Sequence, residues 1–337
     1  MTDLSTSYLG LELRNPLVPS SSPLTGHLDS CRRLEDAGAA ALVLPSLFEE
    51  AILEDERISA RFLHEQETGF GEADSFLPVP EDYPSALDEY LSHLQAAKAA
   101  LDIPVIASLN GISTEGWVSY GQQLQQAGAD ALELNVYYVA ADPEESSVEV
   151  EQRYLDILAQ LREQVQLPVT MKLSPQFSSP AHFARRLQAA GARGVSLFNR
   201  FYQPDIDLET REVIPTLSLS TPYESLLRIH WLAILHGRVQ LSLAATGGFH
   251  ETADVLKALM AGADVVHLCS LLLRNGPEAL TPLLEDLKRW LEEHEYQSVQ
   301  QLKGSVSQQH AIDPAAWERT NYVKLLGSHR SPDSVWR

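Results

Sequence analysis

Apolar positions along this chain fall in short unbroken runs rather than in alternation, and the runs follow a recurring phrase. Ala37 opens AGAAALVL, Ala127 opens AGADALEL, Ala190 opens AGARGVSL and Ala261 opens AGADVVHL. Each reads as a helix that ends at a glycine able to take the left-handed C-cap conformation, then a short turn, then a strand covered on both faces. A second phrase alternates with the first: IPVIASLN from Ile103, LPVTMKLSP from Leu167 and VQLSLAATGG from Val239, each after a helix-like stretch. Adding Pro16–Ser21 gives eight strands. Helices are predicted over about 27–37, 85–100, 115–127, 146–165, 179–190, 221–236, 250–262 and 277–293.

Strand and helix therefore alternate, which demands a parallel sheet, because every helix must return the chain to the same end. Eight such repeats close an α/β (β/α)8 TIM barrel. An open doubly wound sheet is the second reading; no G-x-G-x-x-G joins the first strand to its helix, which favours the barrel. The expected organisation is one barrel over residues 1–304 and an appendage over 305–337. In the appendage Asp313 and Pro314 open a helix to about Leu326, docked by Trp317 and Leu325, with disorder after Gly327.

Two connections exceed ordinary turns. Leu47–Pro84 is expected to hold a short helix around Phe48–His64 and then the irregular FGEADSFLPVPEDYP, and Asn199–Ser220 a small hairpin within Asp205–Ile214. Both leave the carboxyl ends of strands, the functional face of a parallel barrel, and read as a lid or substrate wall.

Composition narrows the function. With 44% hydrophobic residues in 337, the chain has material for a large core, so disorder is excluded. Twenty-five Lys and Arg against 46 Asp and Glu leave a formal charge of −21, which repels a phosphate backbone, so no nucleic-acid partner is expected. Cys31 and Cys269 are the only cysteines, which fits a reducing compartment and offers no cluster for iron and sulfur. MTDLSTSYLGLELRNP lacks the pattern of a signal or transit peptide, and no run of about 18 apolar residues occurs. A cytoplasmic protein with no membrane partner is expected.

The candidate chemistry gathers at strand ends. Thr246-Gly247-Gly248 ends the seventh strand just before a helix, where bare peptide amides and the helix terminus suit an anion. Cys269-Ser270 ends the eighth, completing the phosphate site that barrels build after these two strands. Lys172, inside an apolar fifth strand, must find an anion or lose its charge: the partner is a cofactor that gains charge on reduction or a strand carboxylate such as Glu133, and a third reading is a Schiff-base lysine of aldolase type. Asn135 and Asn199, ending the fourth and sixth strands, present amides that suit heterocycle edges or tie down their own loops. Asn110 with Ser20, Ser21 and Ser22 completes a polar ring at the mouth. The 11 histidines are dispersed and no H-E-x-x-H occurs, so no metal site is expected, and His267 reads as packed in the eighth strand.

At the level of whole motifs the chain resembles the flavin-dependent dihydroorotate dehydrogenases, barrels that bind FMN at the mouth. The likeness spans about Leu11 to Gly304. It is carried by LELRNPLVPSSS, LELN, VTMKLSP, Phe198-Asn199, ATGGFHETADVLKALMAGADVVHLCSLLL and EYQSVQQLKG. The resemblance implies an oxidoreductase of pyrimidine biosynthesis type, acting on a CH–CH bond, with FMN as cofactor. Gly247, Gly248, Cys269 and Ser270 would then hold phosphate, Lys172 and Asn135 would address the ring, Ser20 and Ser21 would flank it, and Asn199 would face a small-molecule substrate. It also implies a soluble electron acceptor or redox partner protein, and is compatible with a homodimer.

The departures fall on the substrate side. Where that family places its Cys or Ser base, this chain has Tyr138, followed by Val139-Ala140; the strand-two Lys-Thr is Pro45-Ser46, and the Asn-rich substrate loop is FLPVPEDYP. These changes argue against dihydroorotate itself. Tyr138 could move a proton only if its pKa were lowered, since a free phenol titrates near ~10. The alternatives that stay open are a flavin-binding or regulatory protein without turnover and an aldolase-like barrel using Lys172.

Overall fold

The computed structural model describes residues 2–55, 57, 85–111, 115–200, 203–318 and 322. Eight parallel strands form one sheet: β3 (Leu17–Pro19), β4 (Leu42–Phe48), β5 (Val105–Gly111), β6 (Ala131–Val136), β7 (Val169–Leu173), β8 (Gly194–Leu197), β11 (Ser242–Thr246) and β12 (Val265–Leu268). Their order is β3-β12-β11-β8-β7-β6-β5-β4. Ala40 N, just ahead of β4, donates to Leu17 O in β3 at 3.0 Å, which brings the two ends of that order together into a barrel. All of β5, β6, β7, β8 and β12 is buried, the consequence of helices outside and a filled interior.

The helices sit where the sequence pattern places them, at Leu28–Asp36, Ala86–Ala100, Glu115–Gln126, Ser147–Gln164, Pro180–Ala189, Ser225–Leu235, Thr252–Ala261 and Leu280–Glu293. Local chemistry explains their ends. Ser85 and Ser146 cap two of them in reciprocal pairs with Asp88 and Glu149. The repeated Ala-Gly-Ala phrase closes others: Gly262 has φ +118° and its N–H returns to Ala258 O and Leu259 O.

The lower barrel holds an element that the strand pattern did not predict. A hairpin of β1 (Thr6–Tyr8) and β2 (Leu11–Leu13) plugs it, placing Tyr8, Leu9 and Leu13 in one buried cluster with Val18, Ala41, Val43, Ile106, Ala131, Ala244 and Val265. Small residues make the room: a Cβ on Gly194 would lie 2.6 Å from Leu9 Cδ2. Leu9 N donates to Ser242 Oγ at 3.0 Å and Thr6 Oγ1 to Asp264 O at 2.9 Å, so the plug's polar groups are paired as burial requires.

In β4 the register shifts between Val43 and Ser46, across Pro45, which has no N–H to give a ladder. The shift turns Ser46 inward against Ser108, with the hydroxyls 2.9 Å apart. After β4, residues 49–55 are helical; the remainder of the expected 48–64 helix, apart from Arg57, and the FLPVPEDYP loop lie outside the described residues. The small hairpin of the other long loop is present as β9 (Asp205–Ile206) and β10 (Val213–Ile214). At the start of the helix expected from Pro314 to about Leu326 the described residues form a 3-10 turn, Pro314–Trp317, followed by Glu318 at φ −113°, ψ −132°; residues 319–321 and 323–326 lie outside the described residues. Trp317 is anchored by its indole N–H to Val306 O at 3.0 Å, while Leu325 lies outside the described residues.

Candidate active site

Within a barrel strand every second side chain points inward, and register aligns these inward positions into layers. One layer runs Asn110, Asn135, Lys172 and Ser196 across β5, β6, β7 and β8. Two positions earlier on β6, Glu133 is fully buried, and its Oε1 lies 3.2 Å from Lys172 Nζ. The strand carboxylate, one of the three alternatives read for Lys172, is thus present. His267, on β12, is buried on the other side of Glu133, with Nδ1 3.8 Å from Oε2 and 3.5 Å from Ser196 Oγ. Burial drives the His267 pKa down to about 4, Glu133 opposing the shift and Lys172 adding to it, so the imidazole is neutral at pH 7.

Two cavities open above this layer. The first, about 260 Å³, is walled by Ser20, Ser21, Ser22, Lys172, Asn199, Arg200, Thr246, Gly247, Gly248, His267, Cys269 and Ser270 among others. The second, about 460 Å³, is walled by Phe48, Glu50, Asn110, Asn135, Tyr137, Asn199, Arg200 and Leu217 among others. Both include Asn199 and Arg200. Together they have the size of a cofactor pocket, ~300–1,000 Å³. Asn199 Nδ2 donates to Asn135 Oδ1 at 2.7 Å, and Asn199 N to Leu173 O at 2.8 Å, which fixes the wall between them.

The rim at β11 and β12 is shaped for an anion. Gly247 and Gly248 have φ of +89° and +94°, a conformation that glycine adopts without strain. Four groups that the sequence reading passed over complete it. Ser220, at the end of the long loop, brings one oxygen within 3.2 Å of Gly248 N, 2.9 Å of Ser270 Oγ and 3.2 Å of His250 Nε2. Arg274 donates to Ser220 O at 3.3 Å. Arg228, buried behind the glycines, donates through Nε to Thr246 O at 3.0 Å and through Nη2 to Phe198 O at 3.3 Å. Arg228 had a legible signal, a lone cation in the apolar helix SLLRIHWLAIL; Ser220 had none, since its role depends on where a long loop returns.

The structure brings every candidate residue to these two cavities except Tyr138. The wall includes Tyr137; Tyr138 instead donates its hydroxyl to Glu145, under the Arg153 guanidinium 4.1 Å from its ring centre. Its pKa is raised, chiefly by that hydrogen bond, which is the opposite of the lowering that a base would need. Cys269 also titrates higher than usual because it is buried, and lacks the character of a nucleophilic thiolate.

Residues 84–291 match the family model for dihydroorotate dehydrogenase. The chain belongs to the dihydroorotate dehydrogenase family. Membership carries the reaction class, a flavin-dependent oxidoreductase acting on CH–CH groups. The catalytic subunit of dihydroorotate dehydrogenase B (NAD(+)) from Thermoplasma acidophilum is 26% identical over 316 residues, covering 90% of this chain and 99% of the relative. The corresponding subunit from Bacillus pumilus is 26% identical over 314 residues, covering 89% and 96%. Dihydroorotate dehydrogenase A (fumarate) from Lactobacillus delbrueckii subsp. bulgaricus is 24% identical over 274 residues, covering 79% and 86%. Among the described residues no helix is long and apolar enough to cross a membrane.

Proposed function

We propose that this dihydroorotate dehydrogenase family member uses FMN, held in the first cavity, to oxidise or reduce a CH–CH bond of a small planar substrate in the second. The observation that carries this reading is electrostatic. The chain has 46 Asp and Glu, yet none of the described residues that wall the first cavity is a carboxylate, while Lys172 and Arg200 are among them, their ion-pair partners Glu133 and Glu224 lying outside that wall. Such a wall selects an anionic ligand with a planar polar body.

The residues fit FMN. Gly248 N donates to Ser220 Oγ, which in turn donates to Ser270 Oγ and lies 3.2 Å from His250 Nε2, so an amide, two hydroxyls and an imidazole that could turn to a phosphate oxygen gather at this rim. Gly247 and Gly248 would hold the phosphate with Ser270, and Thr246 and Cys269 would line its approach. Lys172 and Asn135 would meet the ring, with Ser20, Ser21 and Asn110 around it. When bound, FMN supplies a two-electron centre for hydride transfer. Lys172 would face the bound ring, and Asn135 and Asn199 would orient the substrate through their amides. Tyr138 has its hydroxyl committed to Glu145 and is not given the proton of the reaction.

The relatives divide between an NAD(+)-type catalytic subunit and a fumarate type, which supports a soluble acceptor or a partner protein as the electron outlet in a cytoplasmic enzyme. The test is direct. The purified protein should be yellow or take up added FMN stoichiometrically, and anaerobic dihydroorotate, related dihydropyrimidines or NADH should bleach it. Colourless protein that binds no added FMN overturns the proposal.

A further inference from the structure

Among the described residues Glu133 is the one acid in the layer below the first cavity, level with Ser108 and Thr170, and its surroundings are unlike those of a structural ion pair. Its side chain is fully buried, Oε1 meets Lys172 Nζ at 3.2 Å, and Oε2 has no hydrogen-bond partner among the described residues. His267 Nε2 is likewise buried without a partner, although His267 lines the cavity. A buried carboxylate left half-satisfied costs stability, and native proteins tolerate such groups where they serve a site. Its charge is felt widely in the barrel: besides opposing the downward shift at His267, it helps burial push the phenols of Tyr8 and Tyr90 upward.

We infer that Glu133 is a positioning and charge-setting residue for the flavin site: it holds Lys172 Nζ in place and cancels much of the positive charge that Lys172 presents to the ring above. The inference rests on the FMN reading. Its consequence is opposite in sign to that of Lys172. Lys172 favours a ring that has gained negative charge, and Glu133 restrains that preference, keeping the bound flavin reducing enough to hand electrons on to its acceptor. His267, neutral at the far side of the carboxylate, adds no second positive charge.

The experiment compares midpoint potentials of the FMN-loaded wild type, Glu133→Gln and Glu133→Asp by equilibration with a reference dye. Glu133→Gln removes the charge and keeps the shape, and its reduction equilibrium should shift at least tenfold toward reduced flavin, about 30 mV upward for a two-electron couple. Glu133→Asp keeps the charge but draws it a methylene away from Nζ; it should shift the same way by about threefold, and it serves where the Gln variant fails to fold. Potentials that match the wild type within twofold, or that fall, overturn the inference while leaving the flavin assignment intact. A wild type that takes up no FMN overturns both.

Discussion

Gly248 packs its α-carbon directly against the start of the helix Ser225–Leu235: a Cβ there would lie 2.4 Å from Ser225 N, a backbone atom with nowhere to go. Its φ of +94° adds a second penalty for any other residue, of the order of ~1–3 kcal/mol. Gly248→Ala should therefore displace the rim and weaken FMN binding by at least tenfold, read by quenching of flavin fluorescence on titration. The barrel itself should remain folded by far-UV circular dichroism, because the strain is confined to the loop after β11.

Tyr138 provides a second test, since it occupies the position at which a base was expected. A positioned general base contributes ~10²–10⁴-fold to rate. With its hydroxyl given to Glu145 and its pKa raised by that bond, Tyr138 should contribute far less. Tyr138→Phe should leave flavin reduction by the best substrate within about fivefold of wild type in stopped-flow measurements, on that scale of general-base effects. A loss of a hundredfold or more would return Tyr138 to the reaction.

The eight strands and their helices were legible because each depends on local chemistry: a glycine that ends a helix, then an apolar run long enough for one strand. Lys172 was legible for a related reason, a charge in an apolar strand that must be answered, and Glu133 answers it. The plug formed by Tyr8 and Leu9 was not, because its burial depends on the bore left by Gly194 and by small residues on distant strands. Ser220 escaped notice likewise, since the loop from Asn199 can be read as a wall but not to the residue that touches Gly248. The position three residues beyond Asn135 was legible only as a spacing: Tyr138 stands there, and only the fold shows Glu145 and Arg153 taking it up.

His267 ties stability to pH. Its folded pKa, about 4, lies below the unfolded value near ~6.5, so between these limits the unfolded chain binds the extra proton and folding weakens as pH falls. The contribution is fully present above pH ~6.5 and fades toward pH ~4, at up to roughly 1.4 kcal/mol per pH unit. Glu133, Lys172 and the edge of Tyr8 are the groups that face it. His267→Gln has no imidazole to protonate, so the difference in urea-unfolding free energy between wild type and variant should move in the variant's favour from pH 7 to pH 5. A difference that stays constant across that range would mean the imidazole is open to water.

Arg228 predicts how the site tells a phosphorylated flavin from its dephosphorylated form. Its guanidinium is buried, is spent on the carbonyls of Thr246, Glu224 and Phe198, and would stand 3.1 Å from a Cβ on Gly247. Burial lowers its pKa, with the Glu224 charge pulling the other way, yet an arginine remains charged at pH 7. It therefore supplies a fixed positive potential behind the rim as well as holding its shape. Arg228→Met keeps most of the apolar volume and removes the charge. FMN affinity should fall at least tenfold while riboflavin affinity changes by less than threefold, a contrast set by the ~1.4 kcal/mol that each factor of ten represents. Equal losses for both ligands would show that Arg228 acts only as a brace for the loop and that the phosphate sits away from it.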